Sequence, residues 1–205
     1  MTAKPWETEP TELHFEAHGL KCLAYREHTH GAWRGYVGVP ASSPLFGIGY
    51  ADVIPYPDTW KEQSVNLDHI DIVQLFLTAL DPDAVPAAHA PLTMVFPAHR
   101  GLSFAGHIED FSELWFFGFD CAHAGDLVPE FEEVYARLAR ERPDIPGLPS
   151  LHGLPHQHRE YRTLEYVKGV CERLAQRLAA YSAWPQAQEL LAQVMAAQGI
   201  QIKRK

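Results

Sequence analysis

The densest run of side chains able to do chemistry is Asp120-Cys-Ala-His123-Ala-Gly-Asp126, directly after the apolar run Leu114-Trp-Phe-Phe-Gly-Phe119. A buried strand that ends in two carboxylates, an imidazole and a glycine delivers ionisable groups where the chain leaves the core. Sites built on sheets recur at such strand ends. His123 can serve as a general base or a metal ligand, and Asp120 can orient its ring or accept from ligand hydroxyls. Gly125 permits a tight turn or a close approach of backbone to a ligand. Purely local roles compete with these: Asp120 as a turn cap, His123 as a half-buried bonded histidine, and Asp126 as the cap of the next helix.

A second segment, Pro97-Ala-His99-Arg100-Gly101-Leu102-Ser103, offers a cation and donors suited to a phosphate or carboxylate. Its bland reading is a β-turn with exposed polar residues. Ser103 lacks the Gly-x-Ser-x-Gly frame of a nucleophile elbow, so it counts as a donor. Only Ile108 to Glu113 separates this segment from the apolar run, so pairing of the flanking strands would bring the 99–107 turn to Asp120–Asp126.

Metal-type spacing is weak. His28-x-His30 and His156-x-His158 have strand-like spacing, but no His-Glu-x-x-His and no Cys/His finger is present. Twelve histidines make chance proximity common, and the expectation is no bound metal and no cofactor. The absence of Gly-x-Gly-x-x-Gly and of a P-loop argues against the usual dinucleotide and ATP cradles. Aromatics crowd 33–60 and 104–119; most belong to the core, and a few can stack a planar ring.

The elements that must position these groups follow from pattern. Two alternating runs within Thr11–Glu27, split by His18-Gly19, predict a hairpin, and Trp33–Val39 a third strand ended by Pro40. Asn66 to Leu80 carries helical spacing, Leu92–Phe96 reads as a strand, and Leu114–Phe119 as a strand buried on both faces. Helices are predicted over Pro129–Arg142, Arg159–Tyr181 and Gln186–Gln198, with a Pro/Gly/His-rich loop over 143–158. Strands first and helices later predict an α+β fold: an antiparallel or mixed sheet from the N-terminal two-thirds, packed by C-terminal helices. One domain is expected over 1–205, with 182–205 a helical extension.

The charge balance narrows the partners. A net charge of −9 repels a phosphate backbone, which disfavours nucleic acid; the lone cationic cluster, Lys203-Arg204-Lys205, reads as a solvated tail. Three widely spaced cysteines and a polar opening from Met1 to Pro10 predict free thiols in a reducing, cytoplasmic setting. No apolar run is long enough for a bilayer. Leu190, Leu191, Val194 and Met195 can form a homodimer contact, although packing on the chain's own sheet is the simpler fate of that face.

Three blocks carry a resemblance: Gly35-Tyr-Val-Gly-Val-Pro40 with Pro44-Leu-Phe-Gly47; His99-Arg-Gly-Leu-Ser-Phe104 with Trp115-Phe-Phe-Gly-Phe-Asp-Cys-Ala-His-Ala-Gly-Asp126; and Tyr161 to Ala175. Together they span about residues 26–178, and the middle block is the specific one. The chain resembles an uncharacterised family of small proteins found in bacteriophages, prophages and their hosts. That family tends to read His-Gly-Gly-Leu-Thr where this chain has His99-Arg100-Gly101-Leu102-Ser103, and His where it has Ser43. The Asn66–Leu80 helix and the tail beyond Tyr181 are peculiar to this chain. The resemblance implies a phage-associated origin, a cytoplasmic setting in the host cell, and no particular reaction.

The functional expectation is capture of a small anionic, nucleotide-like molecule, with His99, Arg100, Ser103, Asp120, His123 and Asp126 as the ligand-binding set. Sequestration of a host signal is the corresponding biological role. The alternative is a His/Asp-dependent hydrolase or phosphodiesterase with His123 and Asp120 as catalytic pair. A protein–protein inhibitor, using the acidic surface and the 66–80 helix, is the third.

Overall fold

The computed structural model describes residues 3–57, 60, 89–142 and 159–197. The predicted 66–80 helix, the 143–158 loop with His156 and His158, and the Lys203–Lys205 tail lie outside the described residues. A one-turn helix, α1 (Pro5–Thr8), precedes a hairpin of β1 (Glu12–Ala17) and β2 (Leu20–Tyr25). Both turn residues take positive φ, 52° at His18 and 74° at Gly19. That backbone matches the twist of a two-residue hairpin.

After the hairpin come β3 (Arg34–Pro40), β4 (Val53–Pro55), β5 (His89–Pro91), the short helix α2 (Leu92–Val95), β6 (Phe104–Gly106) and β7 (Leu114–Asp120). Five of the strands form one antiparallel sheet in the order β1-β2-β3-β7-β6, and β4 pairs with β5 separately. The run 92–96 therefore folds as a helical turn rather than the expected strand. Its N-terminal N–H groups are taken by loop carbonyls, Leu92 to Asp52 and Thr93 to Tyr50, and Pro91 sets the entry. With four of the five positions apolar and Thr93 the exception, periodicity does not separate the two outcomes.

Three helices complete the chain: α3 (Pro129–Glu141), α4 (Leu164–Ser182) and α5 (Ala187–Ala197). The long α4 lies across β3, β2 and β1. It starts at Thr163, whose side chain accepts the Tyr166 N–H. Its predicted stripe Val167, Cys171, Leu174 and Leu178 is buried against Cys22, Ala24, Val37, Phe117 and Phe119. Close approach of helix to sheet depends on Gly35: a methyl group there would meet the Phe119 ring at 2.4 Å and Cys171 Sγ at 2.8 Å. The opposite sheet face is plastered by aromatics, Phe104 edge-on to Tyr36 and Phe111 tilted on Phe116. That is why β7 is buried on both sides. The α5 helix packs toward β4 through Ala187, Leu191 and Met195, so much of its apolar face is used within the chain.

No helix among the described residues is long and apolar enough to cross a membrane. Cys22, Cys121 and Cys171 are free and buried. Burial pushes the Cys22 thiol up to about 12 and raises Cys121 and Cys171 strongly as well. Unfolded thiols ionise near about 8.5, so the stability these groups contribute is complete below that pH. It is lost as pH rises toward their folded values. Native protein at neutral pH is accordingly expected to leave all three thiols unreacted with a thiol-reactive dye, and to lose stability progressively above about pH 8.5. Rapid labelling of a native thiol at pH 7 would contradict this.

Candidate functional site

Asp120 is the last residue of β7, and the chain then turns through 121–128 before entering α3. Strand β6 pairs with β7, with Phe104 opposite Gly118, and the Ser103 N–H donates to the Gly118 carbonyl at 2.9 Å. This pairing draws residues 97–103 against the 120–126 loop; the pairing strand is β6, inside the 99–107 stretch expected to be a turn, because 92–95 is helical. A third wall comes from the segment entering α4. Leu127 N–H donates to the Glu160 carbonyl and Glu160 N–H to the Gly125 carbonyl, each at 2.9 Å, stitching that segment to the loop.

Asp126 is the centre. Its side chain is fully buried. Oδ2 accepts from His99 Nε2 at 2.8 Å and from the His123 backbone N–H at 3.1 Å, and Oδ1 accepts from Arg162 Nε at 2.9 Å. Burial alone would push this carboxyl up. The contacts with His123, His99 and Arg162 outweigh it and hold the group well below the usual carboxylate range. Asp126 does not cap α3, whose N-cap is Val128 with no side-chain bond.

An ionised Asp126 can only accept, so His99 Nε2 carries the proton of that bond, and its Nδ1 lies 2.8 Å from the Tyr166 hydroxyl. Both nitrogens are engaged and the residue is only 3% exposed. His99 therefore supports Asp126 from behind and does not face solvent. Burial raises the Tyr166 phenol, which keeps it protonated and able to donate. Arg162 lies 5.0 Å over the Tyr166 ring and also donates to Glu160 at 2.6 Å, so its charge is shared between two carboxylates.

His123 is the exposed member, its side chain 26% accessible, and its ring lies 5.6 Å from that of His99. Its Nδ1 sits 3.6 Å from Asp120 Oδ1 and 3.7 Å from Asp126 Oδ2, too far for a hydrogen bond to either. That nitrogen is shielded from water and has no hydrogen-bond partner. The Asp126 carboxylate raises the His123 imidazole, burial opposes it, and Asp120 adds to the rise.

Asp120 keeps the local role the sequence offered it, accepting the Ala122 N–H at 3.1 Å, and also takes the Ser103 hydroxyl at 3.1 Å. Arg100 and Gly101 both sit at positive φ, 56° and 95°. The Arg100 guanidinium lies across Gly125, where a methyl group would come within 3.2 Å of it. Gly125, at φ 97°, thus serves both a left-handed turn and the passage of that side chain.

The site thus gathers His99, Arg100, Ser103, Asp120, His123 and Asp126 in one place. Beside Asp120 opens a pocket of about 320 Å³, lined by Glu27, His28, Arg34 and Glu130 among others. Ser43 is buried and bonds Ser182 at 2.8 Å. Sequence reasoning missed Arg162 and Tyr166. Polar residues at the mouth of an amphipathic helix carry no spacing that would single them out. No family model matches the chain, and no curated protein and no solved structure matches it either.

Proposed function

We propose that this protein is a hydrolase acting on a small anionic, nucleotide-like molecule, with the 120–126 loop as the reactive wall. The observation that carries the reading is the half-exposed His123 imidazole, poised between two carboxylates beside the Arg100 side chain. The Asp126 and Asp120 carboxylates raise its basicity against the opposing effect of burial, and an imidazole is the usual acid–base group in such a setting. Water activation falls to His123, orientation to Asp120 and Asp126, and stabilisation of developing negative charge to Arg100. Arg100 holds a left-handed backbone conformation that costs an ordinary residue about 1 kcal/mol. The resembled family tends to place glycine there. A guanidinium kept at such a position fits a role in meeting an anion.

The neighbouring pocket, at about 320 Å³, is of the size that holds a small ligand. Its carboxylates, Glu27, Asp120 and Glu130, suit sugar hydroxyls and base amino groups, leaving the phosphate to Arg100. Catalysis is preferred to plain sequestration because His99 is sealed and fully bonded, which leaves few free donors for tight capture of a phosphate. The resemblance to phage proteins supplies the setting we favour, removal of a nucleotide-like signal of the host.

The test is incubation with nucleotides, cyclic dinucleotides and simple phosphodiesters, with products resolved by chromatography. Turnover of at least one class is expected, falling about 100-fold in His123→Ala. Thermal stabilisation by a compound recovered intact would establish sequestration instead, and undiminished turnover by His123→Ala would remove this residue from the mechanism.

A further inference from the structure

Three ligand-type atoms converge at the site: one ring nitrogen from each of His99 and His123 and a carboxylate oxygen of Asp126 all lie within 4.8 Å of one another. Ligand atoms around a tetrahedral zinc stand roughly 3.3 Å apart, from bonds of about 2.0–2.1 Å. Here Asp126 Oδ2 is 2.8 Å from His99 Nε2 and 3.7 Å from His123 Nδ1, which brackets that spacing. The third edge, between the two ring nitrogens, is within 4.8 Å, and a shift of His123 would be needed to even the triangle.

Three further features match the surroundings of a metal centre. His123 Nδ1 is shut off from water and has no protein partner, an unsatisfied state that an ion would relieve. The far nitrogen of His99 is fixed by Tyr166, as the outer nitrogen of a ligating histidine is usually fixed by a second group. The second oxygen of Asp126 is occupied by Arg162, which leaves Oδ2 as a one-atom ligand; Glu160 in turn offsets the guanidinium charge.

We propose that His99, His123 and Asp126 form a binding site for a divalent transition metal ion of the zinc class. Two imidazoles among three ligands disfavour magnesium and calcium, which prefer all-oxygen shells. Three protein ligands with one open position is the pattern of zinc sites that bind water. The ion takes the place of the proton between His99 and Asp126, so His99 then donates from Nδ1 to Tyr166. The inference rests on ligand geometry and goes beyond the hydrolase reading. Where both hold, the ion would supply the polarisation of water and His123 would help to hold that ion in place.

The experiment uses the full chain, stripped with a chelator and titrated with zinc by calorimetry and with cobalt(II) by visible absorption. One equivalent of zinc per chain and a low-symmetry cobalt band of tetrahedral intensity are expected. His123→Ala should weaken zinc by more than about 100-fold, and Tyr166→Phe, which leaves all three ligands in place, by about 10–100-fold. His14→Ala, at an exposed His–Glu pair on β1, should change nothing. Binding that survives His123→Ala, an octahedral cobalt spectrum, or failure of the folded chain to take up zinc would each overturn the site. Zinc bound as expected, with no compound turned over, leaves the metal site standing and removes the hydrolase reading. Full turnover by a folded chain that takes up no zinc does the reverse.

Discussion

Asp126→Ala is expected to lower the unfolding free energy by about 3 kcal/mol, more than any other single change at the site. The carboxylate satisfies three donors at once: the His99 ring, the His123 backbone N–H and the Arg162 guanidinium. Removing it strands a sealed imidazole and a cation. Losing one partner of a buried pair costs about 3–5 kcal/mol, and Arg162, still 19% exposed, recovers some hydration, which places the effect at the lower end. Asp126→Asn should not rescue stability, because an amide nitrogen would point a donor at donors. Asp120→Ala, at a carboxylate 34% exposed, should cost no more than about 1 kcal/mol. Urea denaturation of the three variants is the measurement; a loss below about 1 kcal/mol for Asp126→Ala would show that the loop holds its shape without this carboxylate.

The second large effect lies at Arg26, which is fully buried. Its Nε donates to the Pro10 carbonyl, Nη1 to Thr29 and the Tyr161 hydroxyl, and Nη2 to Trp6 and Glu9 carbonyls, so all five N–H groups are used. The guanidinium also lies 4.8 Å over the Trp33 ring. Tyr161 passes the connection on by donating to Glu9 Oε2 at 2.7 Å, and Glu9 Oε1 accepts the Leu164 N–H at the start of α4. Arg26→Met preserves much of the volume but leaves four carbonyls and a phenol without their donor. At about 1–3 kcal/mol for each buried group left unpaired, partly relieved by water and relaxation, a total loss of about 4 kcal/mol is expected. Glu9→Gln, which keeps a carbonyl acceptor, should cost about 1–2 kcal/mol. Because Tyr161 adjoins Arg162, Arg26→Met should also weaken zinc uptake at the proposed site. An Arg26→Met protein unfolding within about 1 kcal/mol of the parent would refute the buried hub.

Several parts of this architecture were readable in the sequence because they rest on local rules. The hairpin followed from alternation on either side of His18-Gly19. The doubly buried β7 followed from six nearly unbroken apolar residues, and α4 from its stripe of Val167, Cys171, Leu174 and Leu178. The 120–126 loop stood out because ionisable residues rarely follow such a strand without a reason. The run 92–96 went the other way, since short apolar segments fit a strand or a helical turn and only the loop carbonyls of Tyr50 and Asp52 chose between them.

The sequence by itself determined most of the longer elements, the α+β layering and the positions along the chain where titratable groups leave the core. Only the tertiary structure decided that Asp126 is the hub and not a helix cap, that His99 is sealed behind it, and that Arg162 and Tyr166 complete the cluster. These residues come from three segments joined by strand pairing, by the Leu127–Glu160 stitch and by the docking of α4. Hydrogen-bond partners 27, 36 and 67 positions apart leave no periodic trace, because side-chain bonding depends on where the backbone has been carried and not on the spacing of residue types.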